Sequence, residues 1–256
     1  LWEMIANAHN DGMMMLLGLG AAWLFVAGRD LLVLPAIAAA TLVKVPVVLM
    51  APVMFVGVCR HNRARALEGV LLAIALAAVV YRPFWKGPDT LTALKRTDLF
   101  TASLGSVLRL ALAPSFGLPD ASAVARWTSL GGFAIVALVA LWLATRAQTS
   151  QDVLRLAYFT LLGGLLLATT WFQAWYVVWP LGLGAALAER RRHLEVALLS
   201  LGGLLQYFVF IYLWVLGVFP PYESLGLQAA AYVCIVGPLL TGVLALRQRR
   251  VLRADY

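Results

Sequence analysis

The densest group of chemically capable residues in this sequence stands near its start, where Asn7, His9, Asn10 and Asp11 lead directly into the apolar run at 12–27. Asn10 or Asp11 can cap the helix that begins there, and an aspartate at that point complements the positive end of the helix dipole. Capping employs one polar side chain and leaves the others beside an apolar span, where polar groups mark a functional site by default. Lys44 poses the same question inside the run 31–57. A lone ammonium at the centre of a spanning helix costs about 2.5–3.5 kcal/mol, so it needs a partner. A phosphate would serve; so would carbonyls freed by Pro46, or snorkelling to the interface.

Arg82, beside Pro83 and Trp85 at the end of a span, is placed either to hold that phosphate by charge-assisted hydrogen bonds or to anchor the helix at the interface. Lys86, Lys95, Arg96 and Arg109 add positive charge that attracts a lipid phosphate or is simply solvated. Trp171, Trp175 and Trp179 recur at i, i+4, i+8 with Phe172 and Tyr176 beside them. That stripe suits stacking on a sugar, gripping a lipid chain, or an interfacial aromatic belt. Gln173 within it is the less expected residue. His61 and His193 lie in arginine clusters and read as solvated. Glu3 and Glu223 are acid or metal candidates without partners in sequence. Cys59 and Cys234 make neither a disulfide framework nor a zinc site. No metal or cofactor is expected.

These residues need a scaffold, and composition says which. Hydrophobic residues fill 62% of 256 positions and charged ones 12%, against about 25% charged in a soluble domain. Apolar runs recur at lengths able to cross ~30 Å of hydrocarbon at ~1.5 Å per residue. The expected fold is all-α, a polytopic transmembrane bundle forming a single domain over 1–256. About seven spans are expected, at 12–27, 67–81, 127–144, 153–170, 171–188, 194–217 and 225–246. The stretch 153–188, whose one charged residue is Arg155, is too long for one helix, so the chain must turn near 169–173. Residues 86–125 read as an outer loop, with a short interfacial helix whose apolar face is Leu104, Val107, Leu108 and Ala111.

The formal charge of +8 is concentrated in short arginine clusters between apolar runs, a signature of topology rather than of nucleic-acid binding. Arg60/Arg63/Arg65, Arg146, Arg190/Arg191/Arg192 and Arg247/Arg249/Arg250/Arg253 belong on the cytoplasmic side. Arg29 before the run 31–57 and the arginine triplet after it then put both ends inside. One crossing cannot satisfy that. The run is therefore expected as a re-entrant or broken hairpin bending near Lys44, Val45 and Pro46, with one kinked crossing as the alternative.

Asn7, Ala8, His9, Asn10, Asp11 and Gly12 leading into an apolar helix, followed by Leu-Val-Lys-Val-Pro at 42–46, resemble the polyprenol-phosphate-mannose-dependent mannosyltransferases of the GT-C class of membrane glycosyltransferases. Tyr-Arg-Pro-Phe-Trp at 81–85 and Trp-Phe-Gln-Ala-Trp-Tyr at 171–176 are similar to the same group. The resemblance implies inverting transfer of a sugar, mannose in that family, from a polyprenyl-phosphate donor to a glycan or glycolipid on the outer membrane face. It implies a general base on an outer-loop aspartate with no counterpart in this sequence, which is expected to be the later part of a longer protein. His9 and Asp11 would then support catalysis. Asn7, Asn10, Lys44, Arg82, Trp171, Gln173, Trp175 and Tyr176 would bind substrate. The alternatives are a transporter or flippase of lipid-linked sugars, or a noncatalytic membrane subunit. Seventeen Arg against three Lys points to a GC-rich bacterial genome, and hence to the cytoplasmic membrane.

Overall fold

The computed structural model describes residues 9–90, 99–218 and 222–254, with side chains described as far as residue 244. Every regular element among them is helical. In chain order these are α1 (Asp11–Val26), α2 (Asp30–Val43), a 3-10 segment Val45–Met50, α3 (Ala51–His61), α4 (Arg63–Tyr81) with a 3-10 end Arg82–Phe84, and α5 (Leu104–Phe116). There follow α6 (Leu118–Ala144), α7 (Ser150–Gly163) with a π turn Gly164–Ala168, a 3-10 segment Ala174–Val177, α8 (Val178–Ala186), α9 (Arg190–Tyr207) with a π turn Phe208–Leu213, and α10 (Leu225–Ala254).

Five helical stretches are long and apolar enough to cross a membrane: Arg63–Phe84, Leu118–Ala144, Ser150–Ala168, Arg190–Leu213 and Leu225–Leu244. The runs expected as spans at 12–27 and 171–188 correspond to shorter apolar helices, Asp11–Val26 and Ala174–Ala186. At 16 residues, α1 reaches only ~24 Å at ~1.5 Å per residue. The break between Ala168 and Ala174 falls where the length of the apolar stretch required a turn.

The chain folds as two compact units built from separated stretches. One holds the described part of Leu1–Leu99 with Gly132–Leu165 and Val178–Leu187; the other holds the described parts of Phe100–Gly131, Leu166–Val177 and Ala188–Tyr256. In the first, α2 packs on both α1 and α4. The buried side of α1 is Asp11, Met14, Met15, Gly18, Ala21, Ala22 and Phe25, a stripe of helical period. Met13, Leu16 and Trp23 on its other side are exposed, as a lipid-facing surface requires.

The run after α1 is a broken hairpin. Pro46 offers no N–H, and its ring would collide with the Leu42 carbonyl if the helix continued, so α2 stops and Lys44 is extended at φ −159°, ψ 132°. Pro46 and Pro52 then sit in the first turns of the 3-10 segment and of α3, where a missing N–H leaves no bond unmade. The return leg closes on the start. His61 Nδ1 lies 3.2 Å from Asp30 Oδ1, and its ring stacks on Phe25 of α1 at 4.9 Å and 5°. His61 is thus solvated, as its arginine neighbours suggested, but it ends α3 rather than lying in a loop, and it is a closing contact of the hairpin base. Arg60 next to it donates to the Thr145 carbonyl.

Two glycines make the packing possible. A Cβ on Gly57 of α3 would come within 2.8 Å of Val153 and 2.9 Å of Phe25. One on Gly69 would lie 3.2 Å from the Leu31 carbonyl, which Pro35, four residues on in α2, leaves without its helical donor. The absent side chain lets α4 close over an exposed backbone oxygen.

In the second unit a polar knot ties three loops. Thr101 N–H donates to the Thr170 carbonyl and Phe172 N–H to the Thr101 carbonyl, each at 2.9 Å. Ser103 Oγ also donates to Thr170. Ala102, held at φ 46°, gives its N–H to Gln228 Oε1 at 2.7 Å, and Thr101 Oγ1 meets Tyr222 Oη at 2.6 Å. The helix expected inside 86–125 is α5, capped by a Ser103/Ser106 box. Its buried residues are Gly105 and Ser106, while the apolar set Leu104, Val107, Leu108 and Ala111 is half-buried or exposed. Residues 118–125, expected in the same loop, already belong to α6.

The hairpin geometry predicts a topological outcome. With Cys59 and Cys234 replaced by Ala, single cysteines at Arg29 and Asn62 should react with a membrane-impermeant maleimide from the same side of the membrane. Labelling from opposite sides would establish one kinked crossing instead.

Candidate functional site

The polar start of α1 works on the hairpin tip. Asn10 occupies the N-cap position but makes no side-chain cap bond; its Nδ2 donates to the Val43 carbonyl at 3.2 Å. That carbonyl ends α2 and has no helical donor ahead of it. Asp11 is fully buried. Its Oδ2 accepts from Lys44 Nζ at 2.5 Å, and its Oδ1 accepts from Trp179 Nε1 of α8 at 2.7 Å. A partner that Lys44 needed is thus a carboxylate 33 residues upstream.

Magnitudes explain why this pair must form. An ammonium alone in the apolar run costs about 2.5–3.5 kcal/mol, and a buried carboxylate stripped of its counter-charge about 3–5 kcal/mol. Each group removes the other's cost. The Lys44 side chain retains 25% exposure, so it is not sealed inside the protein. His9, half-buried, directly precedes this arrangement.

Between the hairpin and α4 runs a groove of about 1070 Å³. Its walls are almost wholly apolar, with Ile37, Ala38, Val48 and Phe55 from the hairpin facing Ala73, Ile74 and Ala77 from α4. At one end Thr41, Leu42 and Val45 from beside the tip meet Tyr81, Arg82 and Trp85. The structure therefore brings Asn10, Asp11, Lys44 and Arg82 to the same end of one unit. The opposite end carries Asp30, Arg60 and His61. Arg82, at the tip end, is exposed in the 3-10 turn Arg82–Phe84, which has Pro83 in its first turn.

The remaining sequence candidates lie elsewhere. Trp171, Gln173, Trp175 and Tyr176 belong to the second unit, in the turn that the Thr101 knot secures. Trp171 is exposed, Trp175 packs edge-on against Tyr176 at 6.0 Å, and the Gln173 carbonyl accepts from Tyr176 N–H. Arg109 is committed within that unit: it pairs with Glu223 at 3.1 Å, takes Ser122 at 3.0 Å and lies over the Phe100 ring. Glu223 thereby gains the partner that sequence did not supply. Lys86 stands exposed in the loop after α4, and His193 is exposed on the first turn of α9. Asn7, Glu3, Lys95 and Arg96 fall outside the described residues. No group of three or more His, Cys, Asp or Glu among the described residues could hold a metal ion.

Trp179 is the site residue that sequence reasoning did not assign. It lies 168 residues from Asp11, and its only signal was membership of the aromatic stripe. Comparison of the chain with protein-family models, with curated proteins and with solved structures gives no match.

The ion pair yields a direct stability test. Lys44→Met should destabilise the protein by about 3–5 kcal/mol, because it strands a buried carboxylate. Adding Asp11→Asn should recover much of that loss. Thermal unfolding in detergent measures both, and a Lys44→Met protein as stable as the parent would show that the pair holds nothing.

Proposed function

We propose that the chain is the membrane domain of a glycosyltransferase that moves a sugar, mannose by resemblance, from a polyprenyl-phosphate donor to a glycan or glycolipid at the outer face of a bacterial cytoplasmic membrane. The observation that carries this reading is the apolar groove ending at Arg82 beside the hairpin tip. A polyprenyl phosphate is a long hydrocarbon with one anionic end, and the groove offers the matching order of surfaces. Each buried CH₂ contributes about 0.8 kcal/mol, and hydrogen bonds to a charged group about 1.5–3 kcal/mol. The chain thus supplies affinity and the guanidinium fixes which end stands at the mouth.

Charge distribution supports the same orientation. Arg60, His61 and neighbouring Arg63 and Arg65 stand at the hairpin base, the end that positive-inside bias assigns to the cytoplasm. The tip and Arg82 then face outward, with residues 31–57 as a re-entrant hairpin. In the transfer itself an acceptor hydroxyl attacks the sugar C1, the C1–O bond to phosphate breaks, and the bonding pair leaves on the phosphate oxygen. The hydroxyl proton goes to a base. Arg82 offers planar N–H donors to the phosphate as its charge grows, and the Lys44 ammonium adds positive potential nearby.

The test uses the full-length protein, with the outer-loop aspartate that the resemblance implies, in membranes with a radiolabelled polyprenyl-phosphate sugar. Arg82→Gln should lower transfer efficiency about 10–100-fold, equivalent to roughly 1.4–2.8 kcal/mol, with Arg82→Lys intermediate. Donor binding without transfer by the parent protein would favour a lipid-sugar translocator. Unchanged transfer by Arg82→Gln would remove the groove from the reaction.

A further inference from the structure

We infer that Asp11 is a positioning residue: together with Asn10 and Trp179 it clamps the hairpin tip at Val43–Lys44, and this clamp sets the mouth of the groove where a lipid phosphate binds. The functional part of this inference rests on the donor reading above; the clamp itself does not.

Three observations converge on it. Both oxygens of Asp11 are engaged, by Lys44 at 2.5 Å and Trp179 at 2.7 Å, and the side chain has no exposed surface. An incoming hydroxyl has no route to this carboxylate unless the ion pair parts. Its neighbour Asn10 takes the carbonyl immediately before Lys44, so two consecutive residues of α1 grip two consecutive residues of the tip. Finally, Thr41, Leu42 and Val45, which flank the gripped pair, are themselves groove wall beside Tyr81 and Arg82. A tip that shifts moves that wall relative to the guanidinium. Trp179 is a second-rank member of the device. Its indole N–H fixes one carboxylate oxygen and leaves the other to Lys44, so the direction of the ammonium depends on a helix remote in sequence.

Geometry and affinity are read separately. With tryptophan labelled in ¹⁵N, the Trp179 indole resonance is assigned by its loss in Trp179→Phe, and it should move clearly in Asp11→Asn. Binding of a polyprenyl phosphate to the full chain in nanodiscs should weaken about tenfold in Asp11→Asn and about threefold in Trp179→Phe, which keeps an aromatic ring and removes the N–H. In transfer assays the loss should fall on the donor KM, while the pH profile of kcat keeps its shape. An indole resonance unmoved by Asp11→Asn would remove the clamp. Parental affinity in both variants, or a collapse of kcat in Asp11→Asn with donor affinity untouched, would overturn the positioning role, the latter making Asp11 a proton acceptor. A parent protein that binds no polyprenyl phosphate, yet shows the indole shift, would reject the lipid-substrate reading and leave the clamp standing.

Discussion

A single ion pair, Lys44 to Asp11, constrains the first unit more than any other contact. An ammonium cannot sit uncompensated in an apolar helical run, and a carboxylate cannot be fully buried without a counter-charge. The two costs are satisfied together only if the break in the run meets the start of α1. Once that contact is made, much else follows. The leg Asp30–Val43 must run from base to tip beside α1, the leg Ala51–His61 must return, and His61 comes back to Asp30 and Phe25. Asn10 then finds the last carbonyl of the first leg, and Trp179 of α8 is drawn to the remaining carboxylate oxygen.

The hairpin in turn creates the groove. Two half-helices that fold back on each other present Ile37 and Ala38 from one leg and Val48 and Phe55 from the other towards α4, whose own groove side is small and apolar at Ala73, Ala77 and Ala78. Small residues on both walls, Ala38 and Ala51 facing Ala73, Ala77 and Ala78 among larger apolar side chains, leave a channel instead of a sealed interface. Its polar end coincides with the tip because the polar residues that terminate each element, Lys44 for α2 and Arg82 for α4, lie at the same end. The proposed chemistry thus grows from a packing solution to one buried charge.

Much of the scaffold was legible. Apolar length gave the helical class, Pro46 and the arginines at both ends gave the hairpin, and the overlong apolar stretch gave the turn after Ala168. The existence of α5 followed from its spacing. Its contacts inside the protein could not be read, because Gly105 approaches Phe100, Thr170 and Ser129, neighbours that only the folded chain supplies. The early start of α6 had local signals that the loop-like composition outweighed: Pro119 and Asp120 stand in its first turn, positions where each favours a helix beginning. What sequence spacing cannot carry is a contact between distant segments. The Asp11–Trp179 bond, the Lys44 counter-ion and the Arg109–Glu223 pair all join residues 33 to 168 positions apart.

The central claim, that the Asp11 carboxylate holds the hairpin tip against α1, is tested most directly by a distance distribution. Spin labels at Met13 and Val45, both exposed, report the separation of α1 from the tip in the full chain. The account predicts one narrow distribution with Asp11 present and a broadened or displaced one with Asp11→Asn. The same narrow peak in both proteins would contradict it.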